Sequence, residues 1–393
     1  MNNKYTLSIT SHDNFYRGVY KAVLFYDQIE LIFFEEIDST LKQVKCVSLA
    51  PDRVSFFNSL QNTRDKIKLI CQRLGIEEKE LGYDKSSLPL LEQFSYKTLF
   101  LAKMFYKMFI PMQWVIVYKQ LDSELNKASW HKIIPPKEVF QADPFIIYKN
   151  NKYYVFYEEL KFADYHGYLA VAELDLKSGK LVNAKTILKL DYHLSYPFVF
   201  EENNHFYMIP ETGDHHAIDL YECTSFPYQW QKKQTLIDNI QAVDSTLLKH
   251  DGAWYLFTSE KVKGANYDDE LSIYKTEDLF NQPFKKLYND PVITDVKKAR
   301  MAGKFIHRGG DILRISQNSG KRYGYRANIN KVLQIEGGYK EEKIGIIDCD
   351  DKALGFHTYN EAEGIAVGDQ LIARFDFYSL KRFIGGNLKR VLF

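Results

Sequence analysis

The sequence is poor in the features that mark secreted, membrane-spanning or zinc-binding proteins. Its four cysteines are scattered without a CxxC pair, which predicts free thiols in a reducing compartment rather than disulfides or a zinc site. The N-terminus lacks the apolar segment of a signal peptide. No stretch approaches the roughly 20 apolar residues of a spanning helix. These absences predict a soluble, cytoplasmic protein.

A surplus of charge and the common nucleotide and metal motifs are also missing. The 52 Lys+Arg nearly cancel the 51 Asp+Glu, giving a net charge of +1, which argues against nucleic acid as a partner. The chain contains no GxxxxGK[ST], no strand-associated GxGxxG, no HExxH and no GxSxG. The sequence therefore has none of the motifs by which P-loop, Rossmann, metalloprotease or nucleophile-elbow proteins bind their ligands or act. We expect neither a metal nor a cofactor.

Aromatic residues are abundant, with 28 Tyr and 27 Phe, and they favour pleated strands. Five segments share a pattern of a polar first-strand motif, an apolar strand, a polar turn and an aromatic second strand. The motifs begin at Asp143, Tyr196, Asp244, Gly303 and Gly355. Their spacing of roughly fifty residues suits four short strands each, which is one propeller blade.

Only the first two strands of the fifth repeat are found in the sequence. Strands at 114–118 and 130–134, upstream of the first repeat, can take the place of its third and fourth strands. A ring closed in this way has no free edge. The sequence therefore predicts a mainly β fold, a five-bladed β-propeller over 112–393, closed by its own N-terminal strands. Residues 1–111 are predicted to form a small α+β domain, with helices over 52–74, capped by Asp52, and 90–109.

Residues that begin or end the inner strands of a propeller converge at one mouth. Asp143, Glu211 and Asp244 are the catalytic candidates, because opposed carboxylates can act as base and acid on a glycosidic bond. The other reading is that Asp143 and Asp244 cap turns. Substrate-binding candidates are Glu159, His193, Tyr196, Arg300, Gln317, Tyr323 and His357. Among these, Arg300 would contact a diphosphate leaving group or form an ion pair between blades, and the tyrosines would stack on sugar or pack.

These motifs resemble a known group of proteins. The runs at 141–145, 154–159, 193–201 and 208–211, with their HLSYPFVFE and MIPE sequences, resemble the N-terminal domain of plant glucosamine inositolphosphorylceramide transferases. Similar domains occur in bacterial surface-polysaccharide gene clusters, which suggests a role such as lipopolysaccharide synthesis. A more distant resemblance is to five-bladed arabinanase, xylosidase and fructosidase enzymes. In those enzymes three successive blades carry carboxylates, and Asp143 matches the first.

The leading hypothesis is a glycosyltransferase of glycoconjugate synthesis that uses a sugar nucleotide or a glycan. A glycoside hydrolase and a non-catalytic glycan-binding module are the alternatives. Two departures from the glycosidase pattern weaken hydrolysis: Ser195–Tyr196 stands in place of an Asp, and Asp244 in place of a Glu. Residues 90–112 carry apolar side chains with Lys103 and Lys107 on another face. They are predicted either to pack or to make weak peripheral contact with the inner face of an anionic membrane.

Overall fold

The computed structural model describes residues 4–374, apart from 13, 27, 53–54, 109–111, 122–128 and 164. The protein is mainly β, with a small α+β region in the first hundred residues and antiparallel sheets from residue 112 onward. Among the helices in these ranges, none is both long enough and apolar enough to cross a membrane.

The N-terminal region is a four-stranded sheet in the order β3-β2-β1-β4, with three helices. Its strands are β1 (Lys4–Ile9), β2 (Ile29–Ile37), β3 (Thr40–Leu49) and β4 (Leu81–Gly82). Its helices are α1 (Phe15–Lys21), α2 (Phe56–Leu74) and α3 (Leu90–Met108), with short π and 3-10 turns at Ala22–Tyr26 and Glu78–Glu80. Apolar side chains between residues 7 and 100 form a core of their own, which includes Phe33 and Ile67.

Helix α2 shows how local sequence sets its ends. The Ser55 side chain accepts the N–H of Asn58 as N-cap, and Gly75 ends the helix in the left-handed conformation. The prediction that Asp52 is the cap was wrong. Asp52 lies three residues before the N-cap and accepts the N–H of Ser55 instead. The predicted end of this helix at residue 74 is confirmed.

Five antiparallel sheets follow, each built mainly from consecutive strands. The strands that open this region are β5 (Met112–Gln120) and β6 (His131–Ile133). The first sheet has β7 (Val139–Lys149), β8 (Lys152–Lys161), β9 (His166–Asp175) and β10 (Lys180–Leu188). The second has β11 (Ser195–Glu202), β12 (His205–Glu211), β13 (Ala217–Ser225) and β14 (Gln229–Asp238), with a 3-10 turn at Gly213–His215.

The later sheets continue the pattern with shorter outer strands. The third has β15 (Ala242–His250), β16 (Ala253–Glu260), β17 (Glu270–Thr276), β18 (Lys285–Lys286) and β19 (Ile293–Thr294). The fourth has β20 (Ile306–Arg308), β21 (Asp311–Asn318), β22 (Arg326–Gln334) and β23 (Lys340–Ile346). The fifth starts with β24 (Tyr359–Ala362) and β25 (Ile365–Ala373).

The fifth sheet has the order β24-β25-β5-β6, so strands from both ends of the region pair in one sheet. The β25–β5 ladder runs from Ile365 opposite Gln120 to Ala373 opposite Met112. This is the pairing that the upstream strands at 114–118 and 130–134 predict. The pairing gives each of these strands a neighbour that a linear order would not supply.

The polar turns of the repeats have a common backbone cause. In all five sheets the hairpin between the first and second strand has two consecutive left-handed residues, as type I′ turns require. The pairs are Asn150-Asn151, Asn203-Asn204, Asp251-Gly252, Gly309-Gly310 and Glu363-Gly364. The turn of the fifth sheet is as short as the others, and Gly368 lies inside β25.

Candidate active site

Three of the first strands carry a bulge at the position of the sequence motif. Asp143, Tyr196 and Asp244 have φ values of 50°, 44° and 51°, and the strand pairing shifts register around each of them. A β-bulge re-aims a side chain, and the left-handed conformation costs free energy for any residue with a Cβ. At the corresponding place in the fourth sheet stands Gly303, with φ of 136°, where a Cβ would lie 2.0 Å from the Tyr359 carbonyl oxygen.

Hydrogen bonds around these bulges join the first strands into a ring. The fully buried Tyr196 hydroxyl lies 2.9 Å from Thr246 Oγ1 and accepts the N–H of Gly303 at 2.7 Å. The other links are Tyr196 N to Asp143 Oδ2, Tyr359 N to the Ala302 carbonyl and Asn360 Nδ2 to the Pro144 carbonyl. These bonds join the second sheet to the first, third and fourth, the fourth to the fifth, and the fifth to the first.

Four charged side chains, here called the Arg300 cluster, meet inside this ring: Arg300, Asp244, Glu211 and Asp268. Arg300 donates to Asp244 from Nε at 2.5 Å and from Nη2 at 3.2 Å. Its Nη2 also reaches Glu211 at 3.2 Å, and its Nη1 reaches Asp268 at 3.1 Å. One guanidinium thus holds three carboxylates, two of which keep side-chain exposures of 14% (Glu211) and 20% (Asp268).

Two further candidates border this cluster. Gln317 is buried and donates from Nε2 to Asp244 Oδ2 at 2.9 Å. The Tyr323 ring lies 5.0 Å from the Arg300 guanidinium carbon, and Tyr323 remains 40% exposed. An exposed aromatic ring beside carboxylates is an arrangement that can stack on a sugar.

Burial shapes the protonation of the cluster. Removal from water raises the pKa of Asp244 to about 8; Arg300 opposes this, and the neighbouring Glu211 carboxylate adds to it. When two carboxylates share a site, the one less exposed to solvent takes up a proton more readily. Asp244 therefore binds a proton more readily than an exposed aspartate does, and Glu211 keeps partial contact with solvent.

A second group contains Asp143, His357 and Asp369. His357 Nδ1 lies 2.7 Å from Asp369 and its Nε2 lies 3.5 Å from Asp143, while its ring stacks on Trp114 at 4.1 Å. Burial opposes a charge on His357, but the two carboxylates outweigh it and raise the pKa to about 9. Burial raises the pKa of Asp143.

These three residues could hold a metal ion, since their ligand atoms all lie within 4.8 Å of one another. Their oxygens are already used, however. Asp369 accepts backbone N–H groups from Asp143, His357 and Thr358, and Asp143 accepts the Thr358 hydroxyl at 2.7 Å. The contacts fit a group that locks the fifth sheet to the first at least as well as they fit a metal centre.

A third group is the pair of His193 and Glu158. His193 Nε2 approaches Glu158 Oε1 at 3.1 Å, and the Gly167 N–H points at His193 Nδ1 at 3.0 Å. Burial opposes a charge on His193, whereas Glu158 raises its pKa to about 9. The Gly167 N–H favours the neutral form of the His193 ring, because Nδ1 can accept this hydrogen bond only when it carries no proton.

The structure brings together five of the residues that the sequence singles out: Glu211, Asp244, Arg300, Gln317 and Tyr323. It places others differently. Tyr196 is fully buried and joins sheets, so it cannot stack on a sugar. His357 is 2% exposed and lies between carboxylates. Glu159 bonds with Gln141 and Tyr168, and its neighbour Glu158 takes the place beside His193.

Sequence reasoning missed Asp268 and Asp369, and of the two adjacent residues Glu158 and Glu159 it kept Glu159 as the candidate. Glu158 and Glu159 are adjacent on β8, so they point to opposite faces, and the period-2 rule alone could have separated them. Asp268 lies in a loop between β16 and β17, where no periodic signal exists. Asp369 follows Gly368 inside β25, and only the three-dimensional pairing shows its role.

Comparison with solved structures gives distant similarities. A family 117 glycoside hydrolase from Zobellia galactanivorans matches with a TM-score of 0.44 and 11% identity, over 67% of this chain and 91% of that one. A GH43_1 enzyme from Xanthomonas citri matches with a TM-score of 0.43 and 10% identity, over 61% and 88%.

Sequence comparison is more specific. Glucosamine inositolphosphorylceramide transferase 1 of Oryza sativa subsp. japonica is 30% identical over 212 residues, which is 53% of this chain but 28% of that protein. The Arabidopsis thaliana protein of the same name is 28% identical over 211 residues, 52% of this chain and 27% of its own length. The chain thus spans less than a third of these relatives. The family described as glucosamine inositolphosphorylceramide transferase 1, N-terminal, matches residues 127–364, and the chain belongs to this family.

Proposed function

We propose that this protein is a carbohydrate-active enzyme of glycoconjugate synthesis, and that it transfers a glycosyl unit at the Arg300 cluster. The observation that carries the proposal is the excess of carboxylates around one cation, with Glu211 and Asp268 open to solvent and Asp244 buried behind them. Homology to part of a glycosyltransferase of glycolipid synthesis supports the context.

The proposal includes an architecture in which the five sheets are the blades of a closed five-bladed β-propeller over 112–393, preceded by a domain over 1–111. The β25–β5 ladder and the hydrogen bonds between first strands support it. In such a ring the bulged first strands surround a central axis, and their motif residues meet at one mouth.

The chemistry follows from the two neighbouring carboxyl groups. Glu211 takes the proton of an acceptor hydroxyl while the acceptor oxygen bonds to the anomeric carbon. The bond from that carbon to the leaving oxygen breaks, and the protonated Asp244 supplies the proton that the leaving oxygen gains. Asp143, bonded to Thr358 and the Tyr196 N–H, lies one sheet away and stays a catalytic candidate.

Hydrolysis is the second candidate, and one observation favours it. Nε, Nη1 and Nη2 of Arg300 all donate to carboxylates, so this side chain is not available to a diphosphate. A nucleotide-sugar donor would bring more negative charge to a site where carboxylates already exceed cations. A glycoside donor avoids this conflict, and with water as acceptor the same proton transfers hydrolyse it.

Turnover assays distinguish these functions. Purified protein is given UDP-linked hexoses and hexosamines with alcohol acceptors, and separately oligosaccharides alone; sugar released without a nucleotide donor would identify a hydrolase. Glu211→Gln, Asp244→Asn and Asp143→Asn should each reduce turnover at least ~100-fold. Glu222→Gln is the control, because Glu222 pairs with Lys233 away from the cluster.

Full turnover in the Glu211 and Asp244 variants would overturn the assignment. Saturable glycan binding that survives these substitutions, with no turnover in the wild type, would instead identify a binding module.

The predicted membrane contact through residues 90–112 also remains a proposal. On α3, Tyr96 and Phe100 are buried, whereas Leu90, Leu91 and Phe94 are 83%, 82% and 70% exposed. With Leu101 they form one outward apolar face, opposite the buried one. The side chains of Lys103 and Lys107 lie outside the described residues. An apolar helix face suits the headgroup region of a bilayer, where a glycolipid acceptor would lie.

A further inference from the structure

The loop that carries Asp268 is held by the N-terminal region. Residues 261–269 connect β16 to β17, and Tyr267 and Asp268 lie near the end of this loop. Asp268 bonds to Arg300 Nη1 at 3.1 Å. The side chains of the next two residues, Asp269 and Glu270, contact helix α2 instead of Arg300.

Four side chains, here called the Lys66 cluster, form this contact: Lys66, Arg73, Asp269 and Glu270. Lys66 Nζ lies 2.6 Å from Glu270 and 3.4 Å from Asp269, and all three side chains are at most 1% exposed. Arg73 donates to both Glu270 oxygens at 2.7 and 2.9 Å. These four side chains are two cations and two carboxylates, and the exposed Asp290 adds a longer contact to Arg73 Nε at 3.5 Å.

The same loop is fixed to α2 at a second point. Gly264 has φ of 88°, and a Cβ there would lie 2.5 Å from the Asp65 carbonyl oxygen. The loop backbone therefore packs directly on the helix backbone. Within the loop, Asp269 Oδ1 accepts the N–H of Asn266 at 2.9 Å, so the carboxylate that meets Lys66 also shapes the turn before Asp268.

The segment that carries Arg300 is held by the N-terminal sheet. Ser48, in β3, donates from Oγ to Asp295 Oδ1 at 2.6 Å, and the Ser48 carbonyl accepts the N–H of Val296. Asp295 in turn accepts the N–H groups of Lys298 and Ala299 through its carbonyl oxygen. The turn that presents Arg300 thus rests on β3.

We propose that the N-terminal region positions two members of the Arg300 cluster, with Lys66 fixing the loop of Asp268 and Ser48 fixing the turn of Arg300. Lys66 and Ser48 are positioning residues, since neither touches the cluster itself. The inference rests on the proposed function for its catalytic consequence only; the positioning has its own measurement.

Hydrogen exchange measured by mass spectrometry on the full chain tests the positioning without any substrate. In Lys66→Met, amides of 261–269 should exchange at least about tenfold faster, while those of the first sheet, 139–175, keep their rates. In Ser48→Ala the change should fall on 295–300. Arg17→Met is the control, because Arg17 pairs with Glu92 inside the N-terminal region and should change neither segment.

Turnover then links positioning to chemistry. In the assay described above, Lys66→Met should lower kcat, and Lys66→Arg should restore part of it. Unchanged exchange of 261–269 in a folded Lys66→Met protein, or equal acceleration in every sheet, would overturn the positioning role. If Lys66→Met does not fold, Ser48→Ala decides. Absence of turnover in the wild type would count against the proposed function and leave the exchange result standing.

Discussion

Asp268 and Asp269 are neighbours in sequence, yet they belong to charge clusters of opposite character. In the Lys66 cluster two cations meet two carboxylates, and Lys66 and both carboxylates are almost fully buried. In the Arg300 cluster one cation meets three carboxylates, and two of these reach solvent. A balanced, dry cluster holds two elements in one arrangement, whereas an unbalanced one with open carboxylates can exchange protons with a substrate.

The largest expected effect on stability is at the balanced cluster. Lys66→Met removes the one cation of the cluster that contacts both buried carboxylates, and it should lower the free energy of unfolding by about 3–5 kcal/mol. Urea unfolding at pH 7 measures this. Arg17→Met, which breaks an exposed pair, should change little. A loss no greater than that of Arg17→Met would contradict a structural role for the Lys66 cluster.

Arg300→Met should cost less stability, about 1–3 kcal/mol, although it removes the partner of three carboxylates. Glu211 and Asp268 can turn to water, and Asp244 takes up a proton readily because burial raises its pKa to about 8. The same unfolding experiment measures it, and turnover should be lost. A larger stability loss than in Lys66→Met would mean that the Arg300 cluster is chiefly structural.

Stability should fall as the pH rises from 5 to 8. Burial raises the pKa of Asp244 to about 8 and that of Asp269 to about 7, so the folded protein binds protons that the unfolded chain has already released. This contribution is fully present below about pH 4 and is lost as the pH passes the folded values. Unfolding free energies at pH 5, 6, 7 and 8 test this.

Asp244→Asn and Asp269→Asn should each flatten that dependence, because an amide cannot titrate. Asp175→Asn is the control: a hydrogen bond from Ser178 lowers the pKa of Asp175, so its contribution is constant above pH 5. A wild-type stability that rises from pH 5 to 8 would contradict the protonation of both clusters.

The smallest effect on stability is expected on α3, where Leu90, Leu91 and Phe94 are at least 70% exposed. Phe94→Asp should leave the unfolding free energy unchanged and reduce co-sedimentation with vesicles that contain anionic lipid. Thr98→Asp places the same charge on the same exposed face without removing an apolar side chain. Equal pelleting of Phe94→Asp and wild type, or no pelleting of wild type at low salt, would contradict membrane contact.

The repeat made much of the fold predictable. The polar turns, the roughly fifty-residue spacing and the missing outer strands led to the sheet order and to the β25–β5 pairing. These are local patterns, in which strand alternation and turn residues have a direct backbone meaning. The N-cap of α2 was misplaced because Asp52 and Ser55 are both good capping residues, and only the backbone geometry decides between them.

The candidate site was predictable only in part. Motif position identified Asp244, at the bulge of a first strand, Glu211, at the end of a second strand, and Arg300, in the segment before the fourth sheet. It could not show that the hydroxyl of Tyr196, which lies in an equivalent bulge, is hydrogen-bonded to Thr246 and Gly303. Nor could it show that a loop residue, Asp268, completes the cluster, because that contact depends on how α2 holds the loop.

A crystal structure with bound sugar would show whether the Arg300 cluster is the sugar-binding site. Crystals would be soaked with glucosamine, the sugar in the name of the relatives, with its UDP conjugate and with short oligosaccharides. We expect a sugar within hydrogen-bond distance of Glu211 and Asp268, with its ring against Tyr323 and its anomeric carbon toward Asp244. A sugar bound elsewhere on the protein, with the Arg300 cluster unchanged and empty at saturating concentration, would contradict it.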